Sequence, residues 1–111
     1  MVSRYIPDQG DIVWLEFDPQ AGHEQAGQRP AVVLSRKPYN QKTGLAICCP
    51  ITSRVKGYPF EVRLNGKKID GAILSDQVKS LDWQARGAKF IEKINAATLT
   101  EATGKLMSII E

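Results

Sequence analysis

The chain holds one histidine and two cysteines, and only 7% of its residues are aromatic. A single histidine excludes a two-histidine acid–base pair within one chain. The cysteines, Cys48 and Cys49, are neighbours, so they cannot form a disulfide framework, and no second cysteine pair offers zinc ligands. A reducing, cytoplasmic setting is the expected location. The longest apolar run, residues 45–51, is seven residues long and contains Pro50. Spanning a bilayer takes ~18, so no membrane role is expected. The N-terminal residues lack the apolar stretch of a secretory signal. No Gly-rich phosphate loop, metal-ligand spacing, repeat or low-complexity segment is present, so neither a cofactor nor a metal is expected.

What is present fits a single domain over residues 1–111, with 42% hydrophobic and 24% charged residues. Fifteen Lys and Arg oppose twelve Asp and Glu, a net charge of +3. The excess is spread along the chain, with no charged tail, so any polyanion site must be built by folding. Through residue 95 short apolar runs alternate with turn residues, which predicts a small barrel or sandwich of five to seven strands. In residues 12–17, Ile12 and Trp14 share one face and Val13, Leu15 and Phe17 the other, so both sides should be covered. Residues 30–35 read as a central strand that starts at Pro30. Residues 40–44 read as a turn, and 45–51 as a buried strand stopped or bent at Pro50. Phe60, Val62 and Leu64 alternate with Glu61 and Arg63, placing the first three in the core. Asn65-Gly66 fits a tight hairpin, and a longer loop ending at Gly71 fits equally. Residues 71–75 and 88–94 complete the strand set. Thr98 with Glu101 matches a capping box, and Leu99, Ala102, Leu106 and Ile109 recur at helical spacing, predicting a C-terminal helix over 98–110.

Chemistry-bearing residues gather at strand ends, where a rigid frame presents side chains to solvent. Glu24, Gln28 and Arg29 precede one buried strand, and Thr52 and Ser53 follow another. Each has an ordinary reading beside the functional one. Arg29 fits a surface ion pair, Thr52 a turn hydroxyl bonding nearby backbone, and Glu24 and His23 solvated loop groups. Cys48 and Cys49 should face opposite sides of one strand, and Trp14 and Trp83 serve first as core fillers. Residues 54–59 bring Arg54, Lys56, a glycine and Tyr58 together, which fits either a hairpin loop or a grip on a phosphate backbone with a stacked base. On residues alone, this is a small β-rich binding domain with polyanion affinity.

The run Gly22-His23-Glu24-Gln25-Ala26-Gly27-Gln28-Arg29-Pro30, with Phe17-Asp18-Pro19 before it, resembles the MazF/PemK family of toxin endoribonucleases. Lys56-Gly57-Tyr58-Pro59-Phe60-Glu61-Val62 and Asp76-Gln77-Val78-Lys79 extend the resemblance, which runs in order from about Tyr5 to Gly87. It implies an SH3-like barrel, a homodimer, and metal-independent cleavage of single-stranded RNA at short motifs. Attack by the 2′-OH would leave 2′,3′-cyclic phosphate and 5′-OH ends and so inhibit translation. It further implies an antitoxin encoded beside the toxin, expected to be acidic where it docks. Arg29, Thr52 and Glu24 are then the catalytic candidates. Gln28, Ser53, Lys56, Tyr58, Gln77, Lys79 and Arg86 are the candidate RNA contacts. Two other classes remain open: a non-catalytic toxin that poisons DNA gyrase, and a plain RNA-binding module. RNA cleavage separates both from the enzyme.

Overall fold

A computed structural model describes residues 4–17 and 28–111. Seven strands and two helices follow in the order β1 (Asp11–Glu16), β2 (Gln28–Val33), α1 (Lys37–Thr43), β3 (Leu45–Thr52), β4 (Glu61–Asn65), β5 (Asp70–Leu74), β6 (Lys79–Asp82), β7 (Lys89–Lys93) and α2 (Ala96–Ile110). All pairings are antiparallel, in the order β4-β5-β3-β2-β1-β7, with β6 also on β3. The mainly β architecture with a C-terminal helix is the one expected.

The sheet curls because β3 changes partners along its length. Its first half pairs with β6 from Leu45 to Cys48, and its last residues, Ile51 and Thr52, pair with β5. Pro50 sits at the changeover, where one edge of the strand has no ladder partner and a missing N–H costs nothing. The strand therefore continues through Pro50 rather than stopping there. Alternation along the central strands feeds two cores. Ile12, Val32, Cys49 and Ile73 pack on one side with Ala102 and Leu106 of α2. Val13, Leu15, Val33 and Cys48 pack on the other with Leu81 and Trp83. The two cysteines thus face opposite cores, as their adjacency requires. Burial pushes both thiols up to about 12, with help from Cys49 on Cys48 and from Asp76 on Cys49. Neither is an effective nucleophile.

Three local features differ from the sequence reading. Residues 37–43 form a helix where a turn is expected at 40–44. No apolar stripe announces α1, because its one buried residue is polar. Asn40, fully buried, donates to Pro7 O at 2.8 Å and accepts from Ser35 Oγ at 2.5 Å, while its backbone carbonyl accepts from Trp83 Nε1 at 2.9 Å. Secondly, α2 starts at Ala96 rather than 98, capped by Asn95, whose side chain accepts from Ala97 N and Thr98 N. Thirdly, β6 is a short strand with no alternating pattern of its own. As expected of a strand covered on both sides, the second face of β1 packs on Val33, Leu81 and Trp83, with Tyr5 and Ile6 of the N-terminal segment against it. Asp11 fastens that N-terminal segment, accepting from Tyr5 Oη at 2.6 Å and pairing with Lys93 at 2.7 Å.

Between Asn65 and Asp70 the connection takes the longer form, residues 66–69. Gly71 begins the next approach. A Cβ there would lie 2.2 Å from Thr52 O, so only glycine lets β5 lie against the end of β3.

Candidate functional site

Pairing between β2 and β3 runs from Val33↔Cys48 to Ala31↔Pro50 and ends. Continued by two residues, that register would set Arg29 opposite Thr52. Residues directly opposite in an antiparallel pair project on the same face. The ladder stops where Pro30 has no N–H to give across to β3, while the ring of Pro50 takes the donor position on the opposite edge of its own strand. β2 keeps its bonds to β1, with Arg29 opposite Leu15, while β3 turns away to pair Thr52 with Ala72. The strands part and a cleft of about 750 Å³ opens between them. Arg29, Thr52, Ser53 and Gln77 line it, beside Trp14 and both prolines.

Arg29 is exposed and enters no ion pair among the described residues. Thr52 is half-buried, and its Oγ1 accepts from Arg54 N at 3.1 Å. That turn bond uses an acceptor lone pair and leaves the hydroxyl proton to donate into the cleft. The ordinary and the functional reading of Thr52 therefore coexist.

A smaller cavity of about 290 Å³ adjoins, sharing Thr52, Arg54, Leu74 and Gln77 and adding Lys56 and Tyr58. Three polar clips hold its wall, residues 53–60. The Glu61 carboxylate accepts from Gly57 N at 3.0 Å and Lys56 N at 3.1 Å. Lys105 of α2 donates from Nζ to Pro59 O at 2.8 Å and Glu61 O at 3.0 Å. The Tyr58 phenol donates to Asp76 Oδ2, and that bond, more than any burial, raises its pKa above the ordinary tyrosine value. Among the described residues, Asp76 Oδ1 and Ser75 Oγ are buried without a hydrogen-bond partner, so this corner is polar yet incompletely satisfied.

Three expected RNA contacts line neither cavity. Gln28 lies at the outer end of β2, opposite Glu16. The Lys79 ammonium stands 5.8 Å over the Phe17 ring. Arg86 Nη1 donates to Glu16 O at 2.8 Å and Phe17 O at 2.9 Å, fastening the end of β1. Glu24 and His23 fall outside the described residues. Sequence reading missed Asp76, Lys68, Ile69 and Asp70 as site residues. Each lies on a turn, or for Asp70 on the first residue of a strand, whose place depends on which strands pair, and only the Asp76-Gln77-Val78-Lys79 motif offered a signal. Among the described residues, no three His, Cys, Asp or Glu side chains gather as metal ligands, and no helix is long and apolar enough to cross a membrane.

Residues 8–110 match the family described as the PemK-like, MazF-like toxin of type II toxin-antitoxin systems. Over 88 residues the chain is 62% identical to the endoribonuclease toxin MazF of Escherichia coli K12, covering 79% of each chain. The crystal structure of MazF from Deinococcus radiodurans superposes with a TM-score of 0.87 at 52% identity, covering 96% of this chain and 98% of that one. A MazE–MazF crystal structure from the same organism gives 0.86 at 45% identity, covering 96% and 97%.

Proposed function

The chain belongs to the PemK-like, MazF-like toxins of type II toxin-antitoxin systems, and from that premise we propose that it is an endoribonuclease cutting single-stranded RNA in the cleft between β2 and β3. The observation that carries the reading is the parting of those strands at Pro30 and Pro50, with Arg29 and Thr52 lining one opening. The named relatives support an enzyme and give no support to gyrase poisoning.

RNA brings its own nucleophile. A 2′-OH attacks the adjacent phosphorus, a phosphorane forms, and the 5′-oxygen leaves with a proton. Because attack is intramolecular, the geometry is largely supplied by the substrate. The protein has to stabilise charge and move protons. The Arg29 guanidinium presents a fixed fork of donors suited to two phosphorane oxygens. Thr52 donates its hydroxyl to a phosphate oxygen of the scissile linkage. Glu24 takes the 2′-OH proton as general base, and a solvent water at the open cleft gives the leaving 5′-oxygen its proton. Lys56, Tyr58, Ser53 and Gln77 grip the flanking nucleotides, Tyr58 by stacking a base. None of these steps calls for a metal. Gln28, Lys79 and Arg86 would then act through the loop and strand ends around the cleft.

Cleavage of messenger RNA in the cytoplasm accounts for toxicity, and a homodimer with an acidic antitoxin segment across the cleft completes the system. The relative solved as a MazE–MazF complex supports the antitoxin. The test is incubation of the purified protein with a long RNA in EDTA, followed by end mapping. Fragments with 2′,3′-cyclic phosphate and 5′-OH ends are expected at a recurring short motif. Intact RNA, or ends bearing a 5′-phosphate, would contradict the mechanism.

A further inference from the structure

The four-residue loop between β4 and β5 separates the cleft from a second cavity of about 630 Å³ on its other side. Gly66 and Lys67 line that second cavity, whereas Lys68 and Ile69 line the cleft that holds Arg29 and Thr52. Two adjacent lysines are thus dealt to opposite sides of one loop.

The loop is held rigidly for its length. Glu92, on β7, accepts three successive backbone N–H groups through its carboxylate: Lys67 N at 3.0 Å, Lys68 N at 2.9 Å and Ile69 N at 2.9 Å. Gly66 N closes the turn on Ile69 O at 2.9 Å. A Cβ on Gly66 would lie 2.4 Å from Glu92 Oε2 and 2.5 Å from Ile69 O, so the fit of carboxylate into loop depends on glycine. These N–H donors, with Lys68 N first, hold the Glu92 carboxyl below its ordinary value. A lowered pKa keeps the clip formed above the unfolded value and loses it only as pH falls through the folded one, below the range of RNA assays. Among the described residues the Lys68 ammonium has no ion-pair partner, while the one acidic side chain lining the cleft, Asp70, lies 3.5 Å from Arg63.

We propose that Lys68 is an additional phosphate contact for the RNA strand, gripping the chain beyond the scissile linkage, and that Glu92 is the positioning residue that aims it. The assignment rests on the cleft being the RNA site. A compact ammonium on a tethered loop supplies charge at a fixed place without reading a base, so it adds affinity rather than sequence preference.

The experiment measures binding of an uncleavable 2′-O-methyl single strand as a function of salt. Each phosphate contact on a single strand contributes about 0.7 to the log–log slope. Lys68→Ala should lower the slope by about that amount and raise KM for a cleavable RNA with kcat nearly unchanged. Lys67→Ala, one residue away and facing the other cavity, should leave the slope as in the parent. Glu92→Ala should reproduce the Lys68→Ala loss, Glu92→Gln should recover part of it, and Glu92→Ala added to Lys68→Ala should cost nothing more. An unchanged slope in Lys68→Ala, or an equal loss in Lys67→Ala, overturns the assignment even if Glu92→Ala fails to fold. A parent protein that neither binds nor cuts RNA overturns the underlying reading instead.

Discussion

The two walls of the cleft are built differently. Arg29 and Thr52 stand on strand ends whose backbones continue into the core: Leu15 opposite Arg29 is fully buried, and so is Ala72 opposite Thr52. Lys56, Tyr58 and Lys68 stand on loops that bury little and are tied by single side chains, Glu61, Asp76, Lys105 and Glu92. Moving a strand end means breaking hydrophobic burial, worth roughly 1.5–3 kcal/mol for each large side chain. Releasing a clip means losing a hydrogen bond or two, about 0.5–1.5 kcal/mol each. Groups that must meet a transition state belong on the stiff wall. Groups that greet a flexible strand of varied sequence tolerate the softer one.

The difference in kind should appear in kinetics. Arg29→Ala and Thr52→Ala should each lose about 10²-fold or more in kcat while keeping the fold, as removal of a transition-state donor does. Circular dichroism and single-turnover cleavage together check it, and near-parental kcat in Arg29→Ala would break the comparison at its strongest point. Gly71→Ala should come next. It changes no cleft side chain, yet its Cβ must push the Thr52 carbonyl from 2.2 Å, at a cost of about 1–3 kcal/mol. Both unfolding midpoint and kcat should fall, and a fall in stability with kcat intact would mean that Thr52 is not held by β5.

The softer wall gives the smallest effect and the sharpest one. Tyr58→Phe should raise KM about threefold to tenfold, the worth of one hydrogen bond, with kcat little altered. The phenol also carries a signature in pH. Bonded to Asp76, its pKa is raised, so the tether is fully present below the unfolded tyrosine value and is lost as pH rises through the higher folded one. The ultraviolet difference between parent and Tyr58→Phe should show that phenolate appearing later than free tyrosine. Asp76→Asn should bring it back down. Titration like a free phenol in the parent would remove Asp76 as the tether.

Most of the fold is legible in the sequence because alternation reports two-sided burial directly. Ile12 and Trp14 against Val13 and Leu15 announce a strand between two cores, and Phe60 to Leu64 announce a half-exposed one. What stays hidden is polar or dependent on partners. Helix α1 is built around a buried asparagine that no hydrophobic pattern reveals, and β6 becomes a strand only because β3 offers it an edge. The cleft itself was half legible. Pro30 and Pro50 are plain in the sequence, but that they fall beside each other where one ladder ends follows only from the β2–β3 register. Arg29 and Thr52 were recognisable from the family resemblance, whereas Lys68 and Asp76 fell outside the proposed contacts because their turns take meaning from Glu92 and Tyr58, 24 and 18 residues away.

The central claim is that the substrate's own 2′-OH attacks the phosphate beside Arg29 and Thr52. Its most direct test uses two oligonucleotides that differ by one oxygen, an RNA carrying the mapped cleavage motif and the same RNA with a single 2′-deoxy sugar immediately 5′ of the scissile phosphate. Both should bind the parent protein with similar affinity, and under single-turnover conditions only the first should be cut. Cutting of the deoxy-substituted strand at the normal rate and position would contradict the account, because the nucleophile would then have to come from somewhere else.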